Sequence, residues 1–213
     1  DLRTGMTLPP KLTLKSMLDV LIHPAWMYRY LTSDPIVLAN VEHKISEGTG
    51  ETSNLLKYVA NQFDPTVSWK DAEWLMSEWG GPFALKGIMS VDDAKKAVEI
   101  GASAIIISNH GGRQLDSSPA PFDVLPEIVD AVGGQIEIIL DGGIRRGTHV
   151  LKAMALGATA CMIGRPYLYG LAAGGQPGVA RALDLLRSEI VLDMKLMGCR
   201  YLSEVTPACL RKR

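Results

Sequence analysis

At 213 residues, 47% hydrophobic and 21% charged, with a formal net charge of -1, the chain can build a real core and is neither a disordered polypeptide nor a basic nucleic-acid binder. Its three cysteines, Cys161, Cys199 and Cys209, are too few and too scattered for a disulfide framework or a metal cluster, so no metal and a reducing, cytoplasmic setting are expected. No apolar run reaches the roughly 20 residues of a bilayer-spanning helix, so neither a transmembrane anchor nor a signal peptide is expected. Residues 1–81 lack any alternation of strand and helix patterns. Residues 15–31 have helical character, with Met17, Leu18, Leu21, Ile22, Trp26, Tyr30 and Leu31 apolar and Pro24 and Pro35 interrupting or bounding it. Residues 47–53 are polar and rich in Gly and Thr, a loop by composition. Ser68 then precedes a helical run from Trp69, with Asp71 three residues on as a capping-box-like acid.

From Pro82 the pattern becomes regular. Residues 83–86 predict a short strand, and Ser90 caps a helix that runs to Ile100 and stops at Gly101. Residues 104–108 predict a strand, 121–132 a helix, 136–140 a strand, 148–156 a helix and 160–163 a strand. A long amphipathic helix over residues 178–197 closes the chain. Four apolar strands, each followed by a helix, imply βα units and a parallel α/β sheet covered on both faces. Four such units are half of a (β/α)8 barrel. Every glycine-rich polar segment falls at the carboxyl end of a strand, the edge on which barrels and open α/β sheets build their sites.

Three of those segments carry chemistry. Ser108-Asn109-His110-Gly111-Gly112-Arg113-Gln114-Leu115-Asp116 follows an apolar strand. It brings together a proton acceptor, His110, and a planar cation suited to clamping a carboxylate, Arg113. That pairing points to an enzyme acting on a small carboxylic acid. Lys86, at the end of an earlier strand, can stabilise negative charge on a cofactor or substrate, or stand solvated on a loop. Asp141-Gly142-Gly143-Ile144-Arg145-Arg146-Gly147 and Gly164-Arg165 suit a phosphate-bearing ligand held by backbone N–H groups and cations; ordinary tight turns are the alternative. His23, His43 and His149 read as structural or surface residues, and Trp69, Trp74 and Trp79 as packing.

These motifs resemble the FMN-dependent α-hydroxy acid dehydrogenases and oxidases, a family that includes glycolate oxidase, L-lactate dehydrogenase and mandelate dehydrogenase. Residues 108–116, Leu85-Lys86-Gly87, residues 141–145 and Gly164-Arg165 match the motifs of its carboxyl half in order and spacing. His23-Pro24-Ala25-Trp26 and Asn61-Gln62-Phe63-Asp64-Pro65 are similar to the bacterial L-lactate dehydrogenase branch. The resemblance implies a (β/α)8 TIM barrel. Residues 1–81 would be a long loop or insertion after strand 4, and residues 82–213 would carry strands 5–8 with the FMN and substrate site. The family's first four strands, with an Asp that orients the His and a second active-site Arg, would precede this segment.

The implied reaction is oxidation of an L-2-hydroxy acid, L-lactate first, to the 2-oxo acid. Electrons would pass from reduced FMN to quinone, cytochrome or oxygen. His110 would be the catalytic base and contact substrate, and Arg113 would bind the substrate carboxylate. Lys86 and Ser108 would face the flavin ring, and Asp141, Gly142, Gly143, Ile144 and Arg145 would hold the ribityl chain and phosphate, with Gly164 and Arg165. A homotetramer is the family expectation. Residues 9–66, with apolar and aromatic side chains among Lys11, Lys15 and Arg29, suit an interfacial helix on the cytoplasmic face of the inner membrane, or a helix packing on protein. Two other readings stay open: a non-redox barrel enzyme with a phosphate-bearing ligand, which leaves His110 and Arg113 without a task, and an inactive binding or assembly piece.

Overall fold

The computed structural model describes residues 13–33 and 63–211. The expected loop at 47–53, Pro35, His43, Asn61-Gln62 and much of the 9–66 segment lie outside the described residues. The chain divides into two units, Asp1–Ser68 and Trp69–Arg213.

In the first unit, α1 (Leu14–Leu21) and α2 (Pro24–Thr32) take up the helical stretch read from the sequence. Pro24 opens α2, where a missing N–H removes no helical bond. The His23 Nδ1–H between them donates to the Asp19 carbonyl at 2.8 Å. Trp26 and Tyr30 stack with ring centroids 5.2 Å apart. No residue of α2 is buried, and Leu18, Leu21, Ile22 and Leu31 are exposed.

The second unit runs α3 (Trp69–Trp79), β1 (Ala84–Lys86), α4 (Val91–Glu99), β2 (Ala104–Ile107), α5 (Pro121–Val132), β3 (Glu137–Asp141), α6 (Gly147–Ala155), β4 (Ala160–Met162) and α7 (Arg165–Met197). The sheet order is β1-β2-β3-β4. Each neighbouring pair is parallel, with Ala84 beside Ala104, Ala104 beside Glu137, and Ile139 beside Ala160. The sequence dictates this arrangement plainly. Ser90 Oγ accepts the Asp93 N–H at 3.1 Å to start α4, and Gly133 closes α5. Ile105, Ile107, Ile138 and Leu140 of the central strands meet Leu125 and Ile128 of α5 and Ala94 and Ala97 of α4 in one core. Each such Ile or Leu contributes about 1.5–3 kcal/mol by leaving water.

Trp69 and Met76 of α3 pack against the core of the sheet, within the second unit. Two expectations are corrected. Trp74 and Trp79 are exposed rather than packed, and the Trp79 indole donates to the Pro82 carbonyl at 3.0 Å. The edge strands β1 and β4 are exposed at two of their three positions; β2 and β3, with a neighbour on each side, are buried at alternate positions, with Glu137 at the start of β3 exposed.

Helix α7 also starts earlier than expected. Its first arm begins at Arg165, the helix breaks at Gly174 and Gly175, and a second arm continues to Met197. The expected helix covered residues 178–197 only, beyond Gly174, Gly175 and Pro177. The two arms touch backbone to backbone at Gly170 and Gly178, an approach that only residues without a side chain permit.

Candidate active site

The carboxyl ends of the parallel strands bring the sequence-selected residues to one edge. Lys86 ends β1, Ser108 follows β2, Asp141 ends β3, and Gly164-Arg165 follow β4. Register does this: Lys86 lies beside Ile106, Ile107 beside Leu140, and Asp141 beside Met162.

The centre of the edge is a triad. Lys86 Nζ donates to Ser108 Oγ at 2.8 Å and to Asp141 Oδ2 at 2.7 Å. Ser108 Oγ donates to the same Oδ2 at 2.7 Å and accepts the His110 N–H at 3.2 Å. Ser108 is buried, and its hydroxyl uses its one proton and both lone pairs. Burial by itself raises the pKa of Asp141. The hydrogen bonds from Lys86 and Ser108, with the charges of Lys86 and His110, override it and hold the carboxyl below its ordinary 3.8. Asp141 is therefore an anion at neutral pH, and Lys86, though exposed, is paired with it.

His110 stands in a strained turn. Its φ is +57°, in the left-handed region that side chains avoid, and Gly111 and Gly112 follow at +70° and +71°. Asn109 Oδ1 accepts the Gly112 N–H at 3.1 Å, and Asn109 Nδ2 donates to the Pro119 carbonyl at 3.1 Å. A non-glycine residue in this conformation persists only when its surroundings hold it there. The turn leaves the His110 and Arg113 side chains exposed, with no hydrogen-bond partner for either among the described residues. From the start of α7, Arg165 Nη2 donates to the Gly111 carbonyl at 3.2 Å, tying the last candidate loop to the His110 turn.

The loop after β3 has a mixed character. Gly142 and Gly143 have φ of +104° and +76°, Ile144 is buried and Arg145 is exposed. The Arg145 guanidinium has no polar partner among the described residues. At the amino terminus of α6, expected to help hold an anion, the Gly147 N–H already donates to Glu189 Oε2 at 2.7 Å.

Residues 1–212 match the family described as FMN-dependent dehydrogenase. The chain belongs to this family. It is 43% identical to the L-lactate dehydrogenase of Alcaligenes faecalis over 99% of its own length and 55% of that protein's. It is 42% identical to 2-hydroxyacid oxidase 1 of Homo sapiens over all of its length and 52% of that protein's. A crystal structure of the monotopic membrane protein (S)-mandelate dehydrogenase superposes with a TM-score of 0.90 at 34% identity, covering 100% of this chain and 56% of that one. The chain spans about half the length of the curated relatives it matches. Its four parallel βα units are thus part of a TIM barrel, and the family's cofactor is FMN.

The residues present fit a flavin nucleotide. An ammonium stands at the centre of the strand edge, Arg145 is an uncommitted cation, and an added Cβ at Gly143 or Gly164 would meet nothing within 4 Å. Two shaping residues, Asn109 and Glu189, escaped the sequence, and a third, His149, plays the structural part read for it. Asn109 folds the His110 turn; its signal was an Asx residue before two glycines. His149, read as structural or surface, accepts the Arg145 N–H on Nδ1 at 3.2 Å. Glu189 lies 42 residues from Gly147, and no local pattern connects them.

Proposed function

We propose that the full-length protein oxidises an L-2-hydroxy acid, L-lactate first, to the 2-oxo acid. The observation that carries this reading is the left-handed His110 turn beside the Lys86–Ser108–Asp141 triad. His110 takes a proton from the substrate, and the Arg113 guanidinium binds the substrate carboxylate. Lys86 and Ser108 face the flavin ring, with the Lys86 ammonium set against negative charge building there. Asp141 accepts from ribityl hydroxyls, and Gly142, Gly143, Ile144, Arg145, Gly164 and Arg165 hold the phosphate. FMN supplies two-electron acceptance when bound, and quinone, cytochrome or oxygen takes the electrons onward. Anaerobic addition of L-lactate to the purified yellow holoenzyme should bleach the flavin absorbance. A protein without flavin, or one that no 2-hydroxy acid bleaches, overturns the reading.

A membrane surface is the proposed second partner, with the protein peripheral on the cytoplasmic side. Two observations support it: the exposed apolar and aromatic side chains of α1 and α2, and the likeness to a protein described as monotopic in the membrane. Among the described residues no helix is long and apolar enough to cross a membrane. Co-sedimentation with anionic liposomes should fall when residues 9–66 are removed from the full-length protein; unchanged pelleting counts against the attachment. A homotetramer is proposed alongside, checked by light scattering.

A further inference from the structure

Helix α6 begins directly behind the loop proposed for the phosphate, and the protein fills its amino terminus with a carboxylate of its own. Glu189, on the second arm of α7, sets Oε2 2.7 Å from the Gly147 nitrogen and Oε1 3.0 Å from Arg146 Nη1. The Gly147 N–H first, and the Arg146 guanidinium after it, hold this carboxyl below its usual range. The two helices press together at that point. A Cβ at Gly147 would lie 2.5 Å from the Ile190 nitrogen and 2.6 Å from the Glu189 Cβ, so only glycine fits. The neighbouring Arg145 N–H is taken by His149 Nδ1 at 3.2 Å.

The donors around the loop are therefore divided. The N–H groups of Arg145 and Gly147 and the Arg146 guanidinium are spent on protein partners. Glu189 sets its carboxylate at the helix start, where negative charge is favoured. Of two adjacent arginines, one is tied down and one is free.

We propose that Glu189 is a positioning residue for the phosphate end of the flavin nucleotide: by clamping Arg146 and Gly147 it fixes the loop so that, of the two adjacent arginines, Arg145 is the one left to meet the phosphate beside Arg165. The inference rests on the FMN reading above. It concerns only the phosphate, so riboflavin, which lacks one, is the internal control.

The experiment titrates FMN and riboflavin separately into the apo form of the full-length protein, reading flavin fluorescence. The native protein should prefer FMN. Glu189→Ala should weaken FMN about tenfold, the loss expected for a charge-assisted hydrogen bond, and change riboflavin less than about twofold. Glu189→Gln, which keeps an acceptor for Gly147 but drops the charge, should fall between. Arg146 is 69% exposed, so Arg146→Gln tests the other half of the clamp at little risk to folding, and decides alone if Glu189→Ala does not fold. Equal weakening of both ligands, or an unchanged FMN preference, overturns the positioning role and leaves the FMN reading standing. A native protein that binds neither flavin overturns both.

Discussion

Lys86 and Asp141 meet at 2.7 Å although their strands, β1 and β3, are held apart by β2. The long Lys86 side chain bridges that gap, and Ser108 at the end of β2 completes the link. The relationship makes the site sensitive to acid. The Asp141 pKa lies below its ordinary 3.8 in the folded protein. Its contribution to stability is full above that ordinary value and is lost as pH falls through the lower folded value. Urea denaturation across this window should show the native protein losing stability more steeply than Asp141→Asn. Parallel pH profiles for the two would remove the triad from the explanation.

Ser108→Ala removes one of the two acceptors of Lys86, the acceptor of the His110 N–H and a donor to Asp141 at once. Leaving such donors unmade costs about 1–3 kcal/mol. The urea midpoint should drop with an unchanged slope; a midpoint equal to the native value counts against the triad as a structural element.

His110→Gln keeps a side chain of similar reach but no useful base. Turnover should fall roughly 10²–10⁴-fold, the usual worth of a positioned general base, while the visible spectrum of bound flavin stays the same. Steady-state kinetics and absorbance on one sample test both halves. Retained turnover would take His110 out of the base role.

Gly170→Ala would put a Cβ 2.5 Å from the Gly178 carbonyl oxygen, where the two arms of α7 touch. The arms must separate, at about 1–3 kcal/mol for overpacking of this kind. A lowered melting temperature is the expected result; an unchanged one would mean that the arms can part freely.

Burial pushes the Cys161 thiol up to about 11, while Cys209 is exposed. The thiolate is the reactive form, so at pH 8 only about a thousandth of Cys161 is reactive. Peptide mapping after brief iodoacetamide treatment should find Cys209 labelled well before Cys161.

Much of the fold was legible because it is built from short-range signals. Ser90, Gly101, Gly133 and the apolar strand runs each mark an element edge within a few residues, and the strand ends carry His110, Arg113, Lys86 and Asp141 visibly. What stayed hidden depends on contacts across the chain. The first arm of α7 was masked by Gly174, Gly175 and Pro177, because glycine that serves close helix packing looks the same in sequence as glycine that serves a loop. That Trp69 packs was legible, but the sheet it meets was not, because an indole carries no mark of a distant partner. Glu189 looked like any charged residue on an amphipathic helix, and only the folded chain puts its carboxylate over Gly147.

The sheet lists its strands in the order in which the chain makes them. The hydrogen bonds Lys86 to Ser108, Ser108 to Asp141, and Ile138 to Thr159 span 22, 33 and 21 residues. Each new strand thus finds its earlier neighbour already synthesised and waiting. During translation this half of the barrel can grow like a fan opening rib by rib from the ribosome, without waiting for distant segments. The site forms on the same schedule: its anion arrives with β3, last of the triad, and only then does the lysine set down two strands earlier acquire its counter-charge.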